Sequence, residues 1–84
     1  MDKMFANTFI YFRKKAHLTQ SELALAMGIA QSQISKIEEG THLPKIPTIA
    51  KFCNTLGISG NEFLLHMGLD LIATALSEII WLDY

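Results

Sequence analysis

Gln31, Ser32, Gln33, Ser35 and Lys36 crowd the outer face of one short stretch of this chain. Their functional groups are amides, hydroxyls and one ammonium. Such groups suit the edges of bases and the phosphates beside them. A glutamine amide can bond an adenine edge at two points, and a lysine can donate to guanine. Lys36 reads equally well as a phosphate contact. Taken alone, the same polar face also fits a solvated helix surface. Other chemistries find less to work with. His17, His42, His66 and Cys53 are the imidazole and thiol groups, and their spacing matches no zinc pattern. The sequence contains no Gly-rich phosphate loop. No Ser–His–Asp set or carboxylate pair stands out on a shaped site. The expectation is a protein without metal or cofactor, and not an enzyme.

The elements that must position this face lie in residues 20–39, QSELALAMGIAQSQISKIEE. Leu23, Ala24 and Met27 repeat on one side of a first helix, and Ile34 and Ile37 on one side of a second. Ile29 lies in the turn between them. Gly28 sits at that turn, where glycine accepts positive φ at little steric cost. Ala24 is small where the two helices would cross. The pattern is a helix-turn-helix. Thr19-Gln20-Ser21-Glu22 fits a capping box opening the first helix. Ala30 stands at the N-cap of the second, where it leaves that end about 1 kcal/mol weaker than Ser or Thr would.

The flanks extend the pattern. Arg13, Leu18-Thr19-Gln20, Glu22-Leu23-Ala24, Gly28, Ile34, Ile37-Glu38, Gly40, Pro44 and Leu56-Gly57-Ile58-Ser59 together resemble the Xre/Cro, lambda-repressor-like DNA-binding family. The resemblance covers about Phe9 to Leu65. It implies an all-α, five-helix domain whose third helix enters the major groove. By family position, Gln31, Ser32 and Lys36 reach base edges, with Gln33 and Ser35 at the margins. Gln20 points toward the DNA backbone and braces Gln31. Thr41, His42 and Lys45 lie in a loop along the phosphates, although His42 reads almost as well as a plain loop histidine. The resemblance also implies that Arg13 pairs with Glu38 and locks helix one against the recognition helix, a pairing that fixes geometry more than it adds stability.

Charge is unevenly placed. All seven Lys and Arg lie in residues 1–51, with four of the eight acids. From Glu62 onward there are four acids and no base. The overall −1 therefore hides a positive amino-terminal part, and local field governs encounter with DNA. Cys53 is the only cysteine, so no intramolecular disulfide can form, which fits a reducing compartment. Met1-Asp2-Lys3 shows no secretory pattern, and the apolar tail is too interrupted by acids to span a bilayer. The expectation is a soluble, cytoplasmic single domain.

In chain order, helix one is expected over 3–15, with Phe5, Phe9, Phe12 and Ala16 facing the core. Ile10 and Tyr11 lie off that stripe, either as incidental surface or as a second face for the tail. Helix four is expected over about Ile46–Leu56, with Pro47 in its first turn and Ile49, Phe52, Cys53 and Leu56 buried. Ser59-Gly60-Asn61-Glu62 resembles a second capping box, opening helix five at Gly60. Gly68 is expected to break that helix and divide the chain into a DNA-binding domain, 1–68, and an additional apolar helix, 69–84. Leu69, Ile72, Leu76 and Ile79 recur at 3-4-3 spacing, a helix seam to which Trp81 adds area. Either the tail folds back on its own domain or it forms a dimer seam, and its many apolar sides favour the dimer.

These readings converge on a sequence-specific DNA-binding regulator that acts as a homodimer on a palindromic operator. A phage-type repressor and a restriction–modification controller both fit, with RNA polymerase as a target to block or recruit. An Xre-type antitoxin whose tail binds a toxin is the alternative. A protein-binding adaptor that has kept the fold is another.

Overall fold

The apolar spacing of the sequence closes around three phenylalanines. Phe9 and Phe52 stack with ring centroids 4.0 Å apart, and Phe63 stands edge-on to both at 5.8 and 5.9 Å. All three are essentially without solvent exposure. They come from three different helices and so fix the relative placement of the first, fourth and fifth elements. The computed structural model describes the backbone of residues 2–82, and the side chains of residues 3–69 together with Ile72 and Leu76.

Five helices form among the described residues: α1 (Asp2–Lys15), α2 (Gln20–Met27), α3 (Gln31–Glu39), α4 (Ile46–Leu56) and α5 (Gly60–Leu82). The all-α, five-helix expectation holds. Leu23, Ala24 and Met27 of α2 and Ile34 and Ile37 of α3 are buried, joining the helix-turn-helix to the phenylalanine core. Cys53 is buried in the same cluster, and that burial, with the negative charge of Glu62, pushes its thiol above the ordinary value of 9.0.

Helix ends follow local chemistry. The Thr19 hydroxyl accepts from the Glu22 N–H at 3.1 Å, and the Glu22 carboxylate accepts from the Thr19 N–H at 2.9 Å. The Thr19 N–H first, and the Thr19 side chain second, hold the Glu22 carboxyl below its ordinary 4.5. Gly28 closes α2 in the left-handed region at φ 70°. At the end of α1 the same turn is made by His17, at φ 59°. The Leu18 N–H returns to the Arg13 carbonyl at 3.2 Å across it, a Schellman-type closure without glycine. The second capping box is half made: Ser59 Oγ accepts from the Glu62 N–H at 3.0 Å, with no return bond from Glu62 among the described residues.

Two expectations are corrected. Ala16 lies past the end of α1 and is exposed, while Ala6 and Thr8 are buried in its place. Gly68 does not break helix five, and α5 runs unbroken through 23 residues. An interior glycine costs only about 1 kcal/mol, and the burial of Phe63 and Met67 in the preceding turns anchors the helix. The apolar tail is therefore the continuation of α5. Leu69, Ile72 and Leu76 do not fold back on the domain and remain more than half exposed. The side chains of Ile79 and Trp81, with Leu71, Ala75, Ile80 and Leu82, lie outside the described set.

Tyr11 gives α1 a second contact with α5, ahead of the tail. Its ring stacks on His66 of α5 at 4.1 Å, and His66 Nδ1 meets the buried Thr8 hydroxyl at 3.2 Å. This polar contact ties α1 to α5 at the edge of the core.

Candidate nucleic-acid interface

Helix α3 is fastened on one face and open on the other. Ile34 and Ile37 are 0% and 2% exposed. Gln31, Ser32, Gln33 and Lys36 are exposed on the outer side, and Ser35 is half-buried. Deep apolar anchoring of one stripe makes the outer stripe a rigid platform, because rotation of the helix would uncover both isoleucines.

The far end of α3 is held by a charged cluster. Arg13 Nε donates to Glu38 Oε2 at 2.7 Å and Arg13 Nη2 to Oε1 at 3.0 Å. The remaining terminal nitrogen, Nη1, donates to the Leu18 carbonyl at 2.9 Å. Gln20 Nε2 adds a third donor to Glu38 Oε1 at 3.0 Å. The pair is 13% and 5% exposed. A two-pronged guanidinium–carboxylate bond fixes direction as well as distance. One cluster thus joins the end of α1, the start of α2 and the end of α3.

Gln20 does not supply the expected brace on Gln31. Its amide goes to Glu38, and the brace on Gln31 comes from the next residue: Ser21 Oγ donates to Gln31 Oε1 at 3.0 Å. The carboxylate wins the Gln20 amide because a hydrogen bond to a charged acceptor is roughly twice as strong as a neutral one. Sequence reasoning missed Ser21. The available signal was its place in the exposed first turn of α2, beside Gln20. The other outer residues also have local partners. Gln33 Oε1 accepts from the Ala30 N–H at 3.3 Å, so a glutamine supplies one half of the cap that Ala30 cannot complete. Ser35 Oγ donates to Glu39 Oε1 at 3.3 Å. Lys36 has its ammonium on the exposed side, and the Lys36 carbonyl accepts from both the N–H and the hydroxyl of Thr41 at 3.1 Å.

Thr41 therefore spends its hydroxyl donor on closing α3. His42 and Lys45 are exposed, and they line one shallow groove with Gln33, Ile37, Pro44 and Thr48. The loop is thus continuous with the margin of the polar face. Lys3 is a further cation that the sequence did not place: its aliphatic stem lies against Gly40, about where a Cβ there would meet it at 3.8 Å. Among the described residues no group of three or more His, Cys, Asp or Glu side chains is arranged to hold a metal ion. No helix among them is long and apolar enough to cross a membrane.

The surface is a polar helix face, flanked by a loop and locked from behind, in the geometry of a helix-turn-helix. The helix-turn-helix family HTH_3 matches residues 10–63. The chain belongs to that family. This HTH_3 chain is 30% identical over 64 residues to the uncharacterized HTH-type transcriptional regulator y4dJ of Sinorhizobium fredii, a match spanning 76% of this chain and 83% of that one. It is 35% identical over 49 residues to the ImmF control region 10 kDa protein of Bacillus phage phi105, spanning 58% of this chain and about half, 54%, of the phage protein. Its fold is similar to that of the restriction-modification controller protein C.Esp1396I, with a TM-score of 0.78 at 18% identity over 83% of this chain and 90% of the other. The family and the fold are those of DNA-binding transcriptional regulators.

Proposed function

We propose that this chain is a sequence-specific transcriptional regulator that binds a palindromic operator as a homodimer and has no enzymatic activity of its own. The observation that carries the reading is the outer face of α3: Gln31, Ser32, Gln33 and Lys36 stand exposed on a helix whose other face is immobilised. Gln31, Ser32 and Lys36 contact base edges, with Gln33 and Ser35 at the margins. His42 and Lys45 contact phosphates, and Lys3 joins them. The two recognition helices lie about 34 Å apart, one turn of the duplex, in successive major grooves.

Dimerisation is supported by α5. Leu65, Leu69, Ile72 and Leu76 are all more than half exposed and fall at 4-3-4 spacing along one side, the repeat of a helix–helix seam. A second copy would cover this ridge. The control-region relative in a phage supports a phage-type repressor, and the controller-like fold supports a restriction–modification regulator. The place of action is the cytoplasm, where the operator and RNA polymerase are. The same uncovered ridge also suits a toxin, which makes an antitoxin the second reading.

The test is selection of bound sequences from a random DNA pool, with the chain-to-DNA ratio measured on the winner. An enriched inverted repeat carrying two chains supports the proposal. Absence of any enrichment at low salt refutes it.

A further inference from the structure

We propose that the two copies of the dimer pair through α5 in antiparallel fashion, with Leu65 of one copy against Leu76 of the other. The inference rests on the reading of the chain as a homodimer. Leu65, Leu69, Ile72 and Leu76 form the exposed ridge of α5. Their 4-3-4 spacing reads the same in both directions, so a second α5 can lie along it either way. Antiparallel, Leu65 meets Leu76 and Leu69 meets Ile72. Parallel, each residue meets its own counterpart. Charge decides between the two. Glu62 is exposed and lies three residues before Leu65, at the next position of the same repeat.

A parallel pair would set the two Glu62 carboxylates against each other across the seam. It would also gather the acids of both tails, four per copy from Glu62 onward with no base among them. In the antiparallel pair the two Glu62 residues stand about 25 Å apart along the axis, more than twice the distance over which salt screens exposed charges. Each acidic tail then runs back beside a domain whose first 51 residues hold seven cations against four acids. The ridge also offers a seat. Glu62, Leu65, His66 and Leu69 outline a pocket of about 180 Å³, with Tyr11 and Lys15 on its α1 side. Four residues at this spacing make the hole that receives a knob from a facing helix. Its centre falls between Leu65 and His66, so the antiparallel register delivers Leu76 of the second copy into it. Gly68 adds a third observation. It lies one turn from both Leu65 and Ile72, and a Cβ there would meet nothing within 4 Å among the described residues. An interior glycine weakens a helix, and nothing in its own domain requires one here. The open space lets a second helix come close beside the centre of the ridge.

The experiment is mild oxidation of cysteine variants, with cross-linked dimer read on non-reducing gels. Leu65→Cys and Leu76→Cys are made separately, then mixed by unfolding and refolding together. Wild type, whose Cys53 is buried, is the control. The mixture is expected to cross-link. Each single variant alone is expected to cross-link at least about tenfold less, because its two cysteines lie about 16 Å apart along the axis, beyond the reach of a disulfide. A second measurement leaves the ridge intact: the distance between spin labels on Asn61→Cys, at the exposed start of α5. In the antiparallel pair the labels lie about 30 Å apart, and in a parallel pair within about 15 Å. If the ridge variants fail to pair, this distance decides alone. Cross-linking of either single variant by itself, or labels closer than about 20 Å, overturns the inference while leaving the dimer in place. A wild-type chain that sediments as a monomer at the concentrations where it binds DNA refutes the dimer reading itself, and this inference with it.

Discussion

Replacing Arg13 by methionine is expected to unfold much of what the domain's marginal stability holds together. Glu38 is 5% exposed and takes three donors, two from Arg13 and one from Gln20. Arg13→Met removes two of them and leaves a shielded carboxylate with a single amide. Stranding one member of a buried ion pair costs about 3–5 kcal/mol. For a domain of this size that lowers the melting temperature by more than about 10 °C. Glu38→Met is expected to cost about as much, since it strands the guanidinium with only the Leu18 carbonyl as acceptor. The double variant removes both charges and replaces them with apolar atoms of similar length, so it is expected within about 2 kcal/mol of wild type. The assay is urea unfolding followed by circular dichroism for all four proteins, at low and at high salt. The coupling energy, the two single losses less the residual loss of the double variant, should be at least about 4 kcal/mol and should persist in high salt, because screening acts mainly on exposed charges. Single variants within about 1 kcal/mol of wild type, or a double variant equal to their sum, would refute the view that this cluster locks α3 in place.

Three further predictions rest on other elements. Ala30 already has N-cap backbone angles, φ −72° and ψ 142°, so Ala30→Ser is expected to add about 0.5–1 kcal/mol to stability in the same unfolding assay. An unchanged midpoint would mean that the Gln33 contact already satisfies this end. The Glu22 carboxyl is held below its ordinary 4.5 by the Thr19 contacts. Its contribution is therefore present above that value and lost as pH falls through the lowered one. Glu22→Gln should be less stable than wild type at pH 7, with the two curves converging on acidification below pH 4.5; curves that stay parallel would remove Glu22 from the pH response. The Cys53 thiol, raised by burial and by Glu62, should react with a disulfide reagent at pH 8 far more slowly in the folded protein than in urea. Equal rates would show that the thiol is not held inside the core.

What could be read from the residues was mostly local. The capping box at Thr19, the turn at Gly28 and the bounds of α4 each depend on a few neighbours in sequence, and the structure forms each as expected. The Arg13–Glu38 pair is long-range, and it was accessible through the family resemblance rather than through spacing. The misses involve competition between partners. The Gln20 amide was expected against Gln31, and only the folded geometry shows that Glu38 takes it. His17 makes a turn that glycine usually makes, because the preceding α1 and the following Leu18 contact hold it there. Gly68 fits a helix break by composition, yet the turns before it are buried strongly enough to carry the helix through. The contact of Ser21 with Gln31 appears only when α2 and α3 are placed against each other.

The central claim is that α3 reads the major groove of DNA in two copies. The most direct measurement is methylation interference on the selected operator, which marks guanine N7 in the major groove and adenine N3 in the minor groove. The account predicts interference at guanine N7 in two patches, about one helical turn apart on the same face of the duplex. Interference confined to adenine N3, or a single patch bound by one chain, would contradict it.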